Sequence, residues 1–288
     1  MIEVSKSWEA DIRDRERFAF GKNWQSFLGV VNDERIRTAE QSLKDMLEVD
    51  RLDGKRFLDA GSGSGLFSLA ARRLGATVRS FDYDPQSVAC TAELKRRYMP
   101  DDDRWTIEQG SVLNDRFLQE LGTFEVVYSW GVLHHTGAMW DALAKLVPLV
   151  ASDGRLFVAI YNDQGRTSRV WKRVKKAYVA ASPGVRWLVL AAAFGRLWGP
   201  TLVRDTLSGN PLRTWKSYNS QSMRAMDPWR NVVDWVGGYP FEVAKPEEIF
   251  DFFSGRGFDL RRLKTCAGGH GCNEFVFSRR PRRRKRQV

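Results

Sequence analysis

Three glycines at alternate positions, with one acid before them and another acid after them, are the part of this sequence best suited to chemistry. Residues 57–67 read FLDAGSGSGLF, and Asp82 ends the later run TVRSFD. Glycine permits a tight turn and lets the backbone approach a ligand without a Cβ in the way. An acid at the end of the second strand of a doubly wound sheet lies beside a ribose. The pattern therefore indicates a site for a cofactor that contains a nucleoside.

The spacing of the glycines distinguishes this motif from that of a dinucleotide-binding site. A dinucleotide-binding turn reads G-x-G-x-x-G and holds a pyrophosphate at a helix N-terminus, whereas this turn reads G-x-G-x-G and continues with Leu66. Asp59, two residues before the first glycine, would repel a pyrophosphate but suits a ligand with an ammonium group. In these features the sequence resembles the class I S-adenosylmethionine-dependent methyltransferases, whose first motif is acid-x-G-x-G-x-G. Their cofactor carries an ammonium, a sulfonium and a ribose diol.

The resemblance implies a set of cofactor contacts. The methionine end of the cofactor would be lined by Asp59, Gly61, Gly63 and Gly65. Asp82 would bind both ribose hydroxyls through charge-assisted hydrogen bonds. Tyr83 is placed either to cover the adenine or to face solvent. The family often has an acid near the adenine amino group; this chain departs from that pattern, and Ser111 and the Val112 backbone would have to serve instead.

A histidine pair follows the fourth predicted strand, in the segment SWGVLHH over 129–135. This segment resembles the family's segment beside the cofactor, so Ser129 and Trp130 join the expected contacts. Methyl transfer to a hydroxyl requires orientation, desolvation and a base, and histidine has an ordinary pKa close to neutrality. His135 or His134 is therefore the first candidate base, and a packing role is the alternative.

The cysteines and the remaining histidine do not indicate a metal. Cys266 and Cys272 flank His270 with a spacing that differs from that of a structural zinc site. His270, in a glycine-rich turn before the last strand, is instead a second candidate base. Few cysteines, a charged N-terminus and no apolar run of roughly 18 residues predict a protein of the reducing cytoplasm. The segment after the fourth strand also lacks the motifs of base amino-group or cytosine C5 methylation.

Strand and helix patterns alternate along most of the chain, which predicts a parallel sheet with right-handed crossovers. Two final strands joined only by a loop predict an antiparallel ending. The expected fold class is α/β, a doubly wound, seven-stranded, mostly parallel sheet with an antiparallel last strand and a helical insertion. The predicted divisions are an N-terminal helical segment 1–53, a cofactor-binding core 54–161, a basic insertion 162–240, the end of the core 241–279, and a disordered basic tail 280–288.

Much of the net charge of +11 lies in the insertion and the tail. Between Gln164 and Arg204 there are nine Lys and Arg residues and no Asp or Glu. Helix spacing over 169–181 predicts an apolar face of Val170, Trp171, Val174, Ala177, Tyr178 and Ala181, opposite a basic face of Arg169, Lys172, Arg173, Lys175 and Lys176. An apolar run, 187–194, follows. The pattern predicts either an interfacial helix on anionic lipid or a lid over the substrate pocket.

The elaboration after the fifth strand resembles that of the ubiquinone-biosynthesis O-methyltransferases. The resemblance implies O-methylation of a small-molecule hydroxyl, or of one linked to a lipid or glycan, with S-adenosylmethionine as the cofactor and no metal. The composition and the basic, amphipathic insertion predict a cytoplasmic protein that can associate peripherally with an anionic membrane. Two alternatives stay open. One is an RNA methyltransferase whose basic insertion and tail track phosphates; the other is a non-enzymatic partner protein that binds the cofactor.

Overall fold

The computed structural model describes residues 8–21, 24, 28–221 and 228–281. Within them, seven strands form one sheet in the spatial order β3-β2-β1-β4-β5-β7-β6. The strands are β1 (Arg56–Ala60), β2 (Thr77–Asp82), β3 (Trp105–Gln109), β4 (Phe124–Trp130), β5 (Val150–Tyr161), β6 (Phe258–Lys264) and β7 (Cys272–Arg279). β1 to β5 are parallel, and β7 runs antiparallel to both β5 and β6. The predicted fold class is confirmed.

The helices alternate with the strands and then form the insertion. Those of the sheet domain are α1 (Trp8–Arg13), α2 (Asp33–Leu47), α3 (Leu66–Arg73), α4 (Pro85–Tyr98), α5 (Asp115–Leu121), α6 (Met139–Leu146) and α11 (Pro246–Ser254). Those of the insertion are α7 (Arg166–Ala180), α8 (Pro183–Leu207), α9 (Arg213–Gln221) and α10 (Pro228–Gly237). Local sequence sets several of the helix starts. Pro85 opens α4, and the Asp84 side chain caps it by accepting the Gln86 N–H.

Two apolar clusters cover the two faces of the sheet. Successive side chains of a strand point to opposite faces, and β1 accordingly sends Leu58 into one cluster and Phe57 into the other. The same division occurs on β5, at Leu156 and Phe157. Because both faces are buried, the strands read as nearly continuous apolar runs. The loops at the carboxyl ends of the strands are left to form a site.

The insertion has an apolar cluster of its own, formed by Tyr178, Val179, Leu190, Ala193, Trp198, Val232 and Val236. The predicted faces of α7 are wrong at three positions: Lys175 is fully buried, whereas Val170, at 56%, and Ala177 are exposed. The buried lysine is compensated by its surroundings. Its ammonium lies 4.2 Å from the centroid of the Trp235 ring and donates a hydrogen bond to the Trp235 carbonyl. Helix periodicity alone does not reveal such a partner.

The predicted terminal segments fall partly outside the described residues. Residues 1–7 of the N-terminal segment and 282–288 of the basic tail lie there. In the described part of the chain, no helix is long and apolar enough to cross a membrane.

Candidate functional site

A cavity of about 470 Å³ opens at the carboxyl ends of the central strands. Its walls include the loops that follow β1, β2, β3 and β4. β2 and β4 lie on opposite sides of β1, so the strand order reverses there. Ligands of doubly wound sheets bind at this kind of switch point. The cavity is therefore where the sheet topology places a cofactor.

The glycine turn after β1 has the backbone conformation that its spacing suggests. Gly61 and Gly63 have φ values of +92° and +55°, in the left-handed region that favours glycine. A Cβ at Gly61 would lie 2.4 Å from Cγ1 of Val132, so any larger residue would collide with the loop after β4. The turn is thus closely packed as well as tightly wound.

The two predicted carboxylates lie at the floor of this cavity. Asp82 accepts hydrogen bonds of 2.9 Å from the Gly63 and Asp84 N–H groups. Asp59 accepts one of 2.5 Å from the Ser68 hydroxyl. Burial raises the pKa of Asp82 to about 6 and that of Asp59 to about 7. A ligand that brings positive charge and hydroxyl donors would stabilise both carboxylates, and S-adenosylmethionine has both features.

Tyr83 belongs to the cavity wall rather than to an open turn. Its hydroxyl donates a hydrogen bond of 3.2 Å to Asp11, and the Arg17 guanidinium lies 5.1 Å from its ring centroid. Burial, followed by the charge of Asp11, raises the pKa of Tyr83 to about 12. The ring is therefore neutral and held in place by the N-terminal segment.

Most of the predicted cofactor residues come together here. The cavity is lined by Asp59, Gly61, Gly63, Asp82, Tyr83, Ser111, Val112 and Trp130. Gly65 and Ser129 are not among the residues that line it. Gly65, with φ of +80°, is the N-cap residue of α3. Ser129 is buried and donates a hydrogen bond of 2.8 Å to the Ala60 carbonyl. These two residues shape the loops without reaching the cavity.

The three candidate bases have different surroundings, and only His135 lines the cavity. Its Nδ1 lies 2.7 Å from the Pro240 carbonyl. Because a carbonyl only accepts, we assign the proton to Nδ1, which leaves Nε2 of the neutral ring as the proton acceptor. His134 is fully buried and packs on Tyr161, with ring centroids 3.9 Å apart. His270 lies against Trp235, with ring centroids 5.2 Å apart, outside the residues that line the cavity.

The cavity is also lined by residues that the sequence analysis did not assign. The N-terminal segment contributes aromatic and charged residues, and α10 contributes three more. These added lining residues are Trp8, Asp11, Arg17, Phe18, Phe20, Trp24, Tyr161, Asn231, Asp234, Trp235 and Pro240. The signal available in the sequence was the clustering of aromatic residues within a highly charged N-terminal stretch. These added residues are rich in aromatic rings and suit a flat, mostly apolar acceptor.

No group of three or more His, Cys, Asp or Glu side chains is placed to hold a metal ion in the described residues. The carboxylates of the cavity instead accept hydrogen bonds from nearby N–H and hydroxyl groups.

Comparisons with known proteins find methyltransferases. A family model described as a methyltransferase domain matches residues 58–156. The ubiquinone biosynthesis O-methyltransferase of Rhodopseudomonas palustris (strain HaA2) is 27% identical over 162 residues, which cover 56% of this chain and 58% of that protein. The protein of the same name from Caulobacter sp. (strain K31) is 26% identical over 261 residues, covering 84% of this chain and 97% of that protein. The chain thus spans little more than half the length of several of these relatives.

Solved structures show the same fold. Magnesium protoporphyrin IX methyltransferase from Synechocystis PCC 6803, with bound S-adenosylhomocysteine, aligns with a TM-score of 0.53 and 15% identity over 94% of this chain and 99% of that chain. The 1,6-didemethyltoxoflavin-N1-methyltransferase of Burkholderia thailandensis aligns with a TM-score of 0.50 and 14% identity over 97% of this chain and 93% of that chain.

The sheet order, the glycine turn with its two acids and the matched domain define one class. The protein is an S-adenosylmethionine-dependent methyltransferase, and its sheet has the strand order of the class I fold. The predicted family is confirmed.

Proposed function

We propose that this methyltransferase transfers a methyl group from S-adenosylmethionine to the hydroxyl of a small-molecule or lipid-linked acceptor that carries an aromatic ring. The observation that carries the proposal is the position of His135. It lies beside the cofactor loops and faces the same cavity as Asp59 and Asp82. The names of the curated relatives support O-methylation.

The residues around the cavity divide into two functional sets. The carboxylates and the glycine turn fit the charged and hydroxylated parts of S-adenosylmethionine, the cofactor of this class. The aromatic end, with Tyr161 and Trp235, fits the ring of the acceptor. Asn231 and Asp234 add polar atoms that can orient it. We therefore place the acceptor between α10 and the N-terminal segment.

The reaction requires few chemical groups from the protein. S-adenosylmethionine supplies an electrophilic methyl group on a sulfonium. The acceptor oxygen forms a bond to the methyl carbon as the carbon–sulfur bond breaks, and S-adenosylhomocysteine remains. His135 takes the proton of the hydroxyl on Nε2, while the Pro240 carbonyl holds the opposite ring nitrogen. Methyl transfer removes the positive charge from the sulfonium. The aromatic walls favour this step because they exclude water from the reacting atoms.

Methyl transfer from labelled S-adenosylmethionine to three kinds of acceptor tests the proposal. The panel consists of phenols and catechols, hydroxylated glycans, and RNA. We expect label on a phenol or catechol oxygen, identified by the mass and fragmentation of the product. Label on RNA alone would replace the proposal by the nucleic-acid alternative. Binding of S-adenosylhomocysteine with no transfer to any acceptor would favour the non-enzymatic alternative.

The insertion further supports a membrane partner, which we include in the proposal. Eight of the twelve exposed large apolar side chains in the described residues lie within 162–240. On α8, Val185 and Leu188 near its start and Val203 and Leu207 near its end are 49 to 84% exposed and lie on one side of the helix. Trp187, on a different side of α8, is 63% exposed. An apolar stripe beside exposed cations fits the interface of an anionic membrane better than a groove that tracks phosphates.

A further inference from the structure

We propose that Arg17 is a positioning residue that fastens the N-terminal segment across the cavity and couples its cofactor side to its acceptor side. The N-terminal segment here means residues 8–21. The inference rests on the proposed cofactor, because the coupling is measured through cofactor binding. The sequence analysis assigned no role to this arginine.

A single guanidinium touches both sides of the site. Nη1 of Arg17 donates a hydrogen bond of 2.6 Å to the His135 carbonyl, and Nη2 donates one of 3.3 Å to the Thr136 carbonyl. On the other side, the guanidinium lies 5.1 Å from the ring centroid of Tyr83. His135 is the candidate base and Tyr83 follows the expected ribose-binding acid, Asp82. Arg17 therefore links the two groups of residues that have to act together.

The guanidinium is held in a partly buried setting. Its Nε donates to Asp11 at 3.2 Å, and the two side chains are only 18% and 13% exposed. The same Asp11 carboxylate accepts the hydrogen bond of the Tyr83 hydroxyl. Partly buried charges are screened little by salt, and a cation–π contact is stronger when desolvated. Arginine suits this position because its planar group has five donors in fixed directions.

Besides Arg17, the N-terminal segment is attached by a small number of hydrogen bonds and by the packing of Phe20 on His135. None of the six residues of α1 is buried. The Phe18 N–H bonds the Tyr239 carbonyl at 2.9 Å, and the Gly21 N–H bonds Asp84 at 2.8 Å. Segments with little buried surface open without global unfolding. The N-terminal segment is thus able to release and re-cover the cavity while the sheet remains folded.

Cofactor binding and covering of the cavity by the N-terminal segment are coupled. If the cofactor stabilises the covered state, the covered state binds the cofactor more tightly. A cofactor bound beside Tyr83 stabilises the position of the ring that the Arg17 guanidinium contacts. The N-terminal segment then holds the backbone of His135 and Thr136 through the same guanidinium. Cofactor binding consequently orders the loop that carries the candidate base before the acceptor reacts.

Calorimetry with S-adenosylhomocysteine, on the full chain, gives the first test. We expect Arg17→Met, which keeps the length of the side chain but removes its charge and donors, to weaken binding about tenfold. Arg13→Met is the matched control, because Arg13 is 75% exposed and pairs only at the surface with Asp14. We expect the control to bind as the wild type does.

Hydrogen exchange gives the second test and separates positioning from folding. In the wild type, S-adenosylhomocysteine should slow amide exchange in 61–65, in 8–21 and in 134–136. In Arg17→Met, the slowing at 61–65 should persist and that at 134–136 should disappear. Arg17→Lys, which keeps a charge near Tyr83 but lacks the fork that reaches two carbonyls, should bind with intermediate affinity and also lose the slowing at 134–136.

Three results would overturn the inference. The first is wild-type affinity and wild-type exchange in Arg17→Met. The second is a lower unfolding midpoint of the ligand-free variant with protection lost equally in all three segments, which would make Arg17 a folding residue. The third result applies if Arg17→Met does not fold. In that case, wild-type protection at 134–136 in Arg17→Lys would also contradict the inference. A wild-type protein that binds no S-adenosylhomocysteine would instead contradict the proposed cofactor.

Discussion

The Gly63 N–H donates a hydrogen bond of 2.9 Å to Oδ2 of Asp82, so the acid expected to hold the ribose also holds the glycine turn. The two halves of the cofactor motif are far apart in sequence but are joined through a single carboxylate. This bond makes the shape of the turn sensitive to the residue at position 82. A carboxylate with backbone N–H partners is also prepared to accept further donors, since its orientation is already set.

The first prediction concerns Asp82. Asp82→Ala should weaken S-adenosylmethionine binding by roughly 1.5–3 kcal/mol, the usual cost of losing a hydrogen bond to a charged group. Asp82→Asn keeps an oxygen that can accept the Gly63 N–H, so it separates the loss of charge from the loss of the turn contact. Calorimetry on the three proteins measures both effects. Unchanged affinity in Asp82→Ala, or tighter binding of NAD than of S-adenosylmethionine, would contradict the cofactor assignment.

The second prediction follows from the raised carboxyl pKa values. Burial raises the pKa of Asp82 from 3.8 to about 6 and that of Asp59 from 3.8 to about 7. Over this range the folded protein binds more protons than the unfolded chain, so these groups lower the free energy of unfolding as the pH rises from about 4 to about 7. A cationic cofactor favours the ionised carboxylates, so its affinity should rise over the same range.

Urea unfolding and calorimetry at several pH values measure both trends. Asp59→Asn is the comparison, because it removes one titrating group and can still accept the Ser68 hydroxyl, now 2.5 Å from Asp59. The difference between wild type and variant isolates the contribution of Asp59 from that of other titrating groups. An identical pH dependence in both proteins would show that Asp59 keeps an ordinary pKa.

The third prediction concerns the base. His135→Ala should lower turnover roughly 10²–10⁴-fold while leaving cofactor affinity nearly intact, because the lost function is proton transfer. His134→Ala should mainly lower the free energy of unfolding, since His134 is fully buried. His270→Ala tests the candidate that lies outside the cavity lining. Full turnover in His135→Ala together with loss of turnover in His270→Ala would identify His270, in the turn before β7, as the base.

The residues that the sequence analysis placed at the cavity are set by local sequence. Positive φ values at Gly61 and Gly63 are required by a short turn, and Asp82 follows its strand at a spacing set by the β–α–β unit. The parts that were missed depend on long-range packing. Phe20, for example, lies 4.8 Å from His135 by ring centroids although the two are far apart in sequence. Periodicity describes one element at a time and does not reveal such pairs.

The fourth prediction concerns Lys175, which the periodicity of α7 assigned to the wrong face. Burial lowers the pKa of Lys175 from 10.5 to about 7, and the charge of Asp234 opposes that shift. Between these values the unfolded chain binds more protons than the folded protein, so Lys175 raises the free energy of unfolding as the pH rises from about 7 to about 10. Lys175→Met should lose this rise, and Lys176→Met, an exposed neighbour, should keep it. Urea unfolding at pH values across this range distinguishes the two.

The last prediction concerns the insertion and its partner. Because α8 exposes an apolar stripe and α7 exposes cations, the protein should sediment with anionic liposomes at low salt and dissociate as the salt concentration rises. Lys175 is buried, so the exposed pair Arg169 and Arg173 is the informative target. Arg169→Glu with Arg173→Glu should abolish sedimentation and leave cofactor affinity unchanged. Arg96→Glu with Arg116→Glu makes the same change of charge on the sheet domain and should have little effect. If all three proteins ignore liposomes but retain RNA in a salt-sensitive complex, the partner is nucleic acid; if they bind neither, the insertion serves only to cover the acceptor.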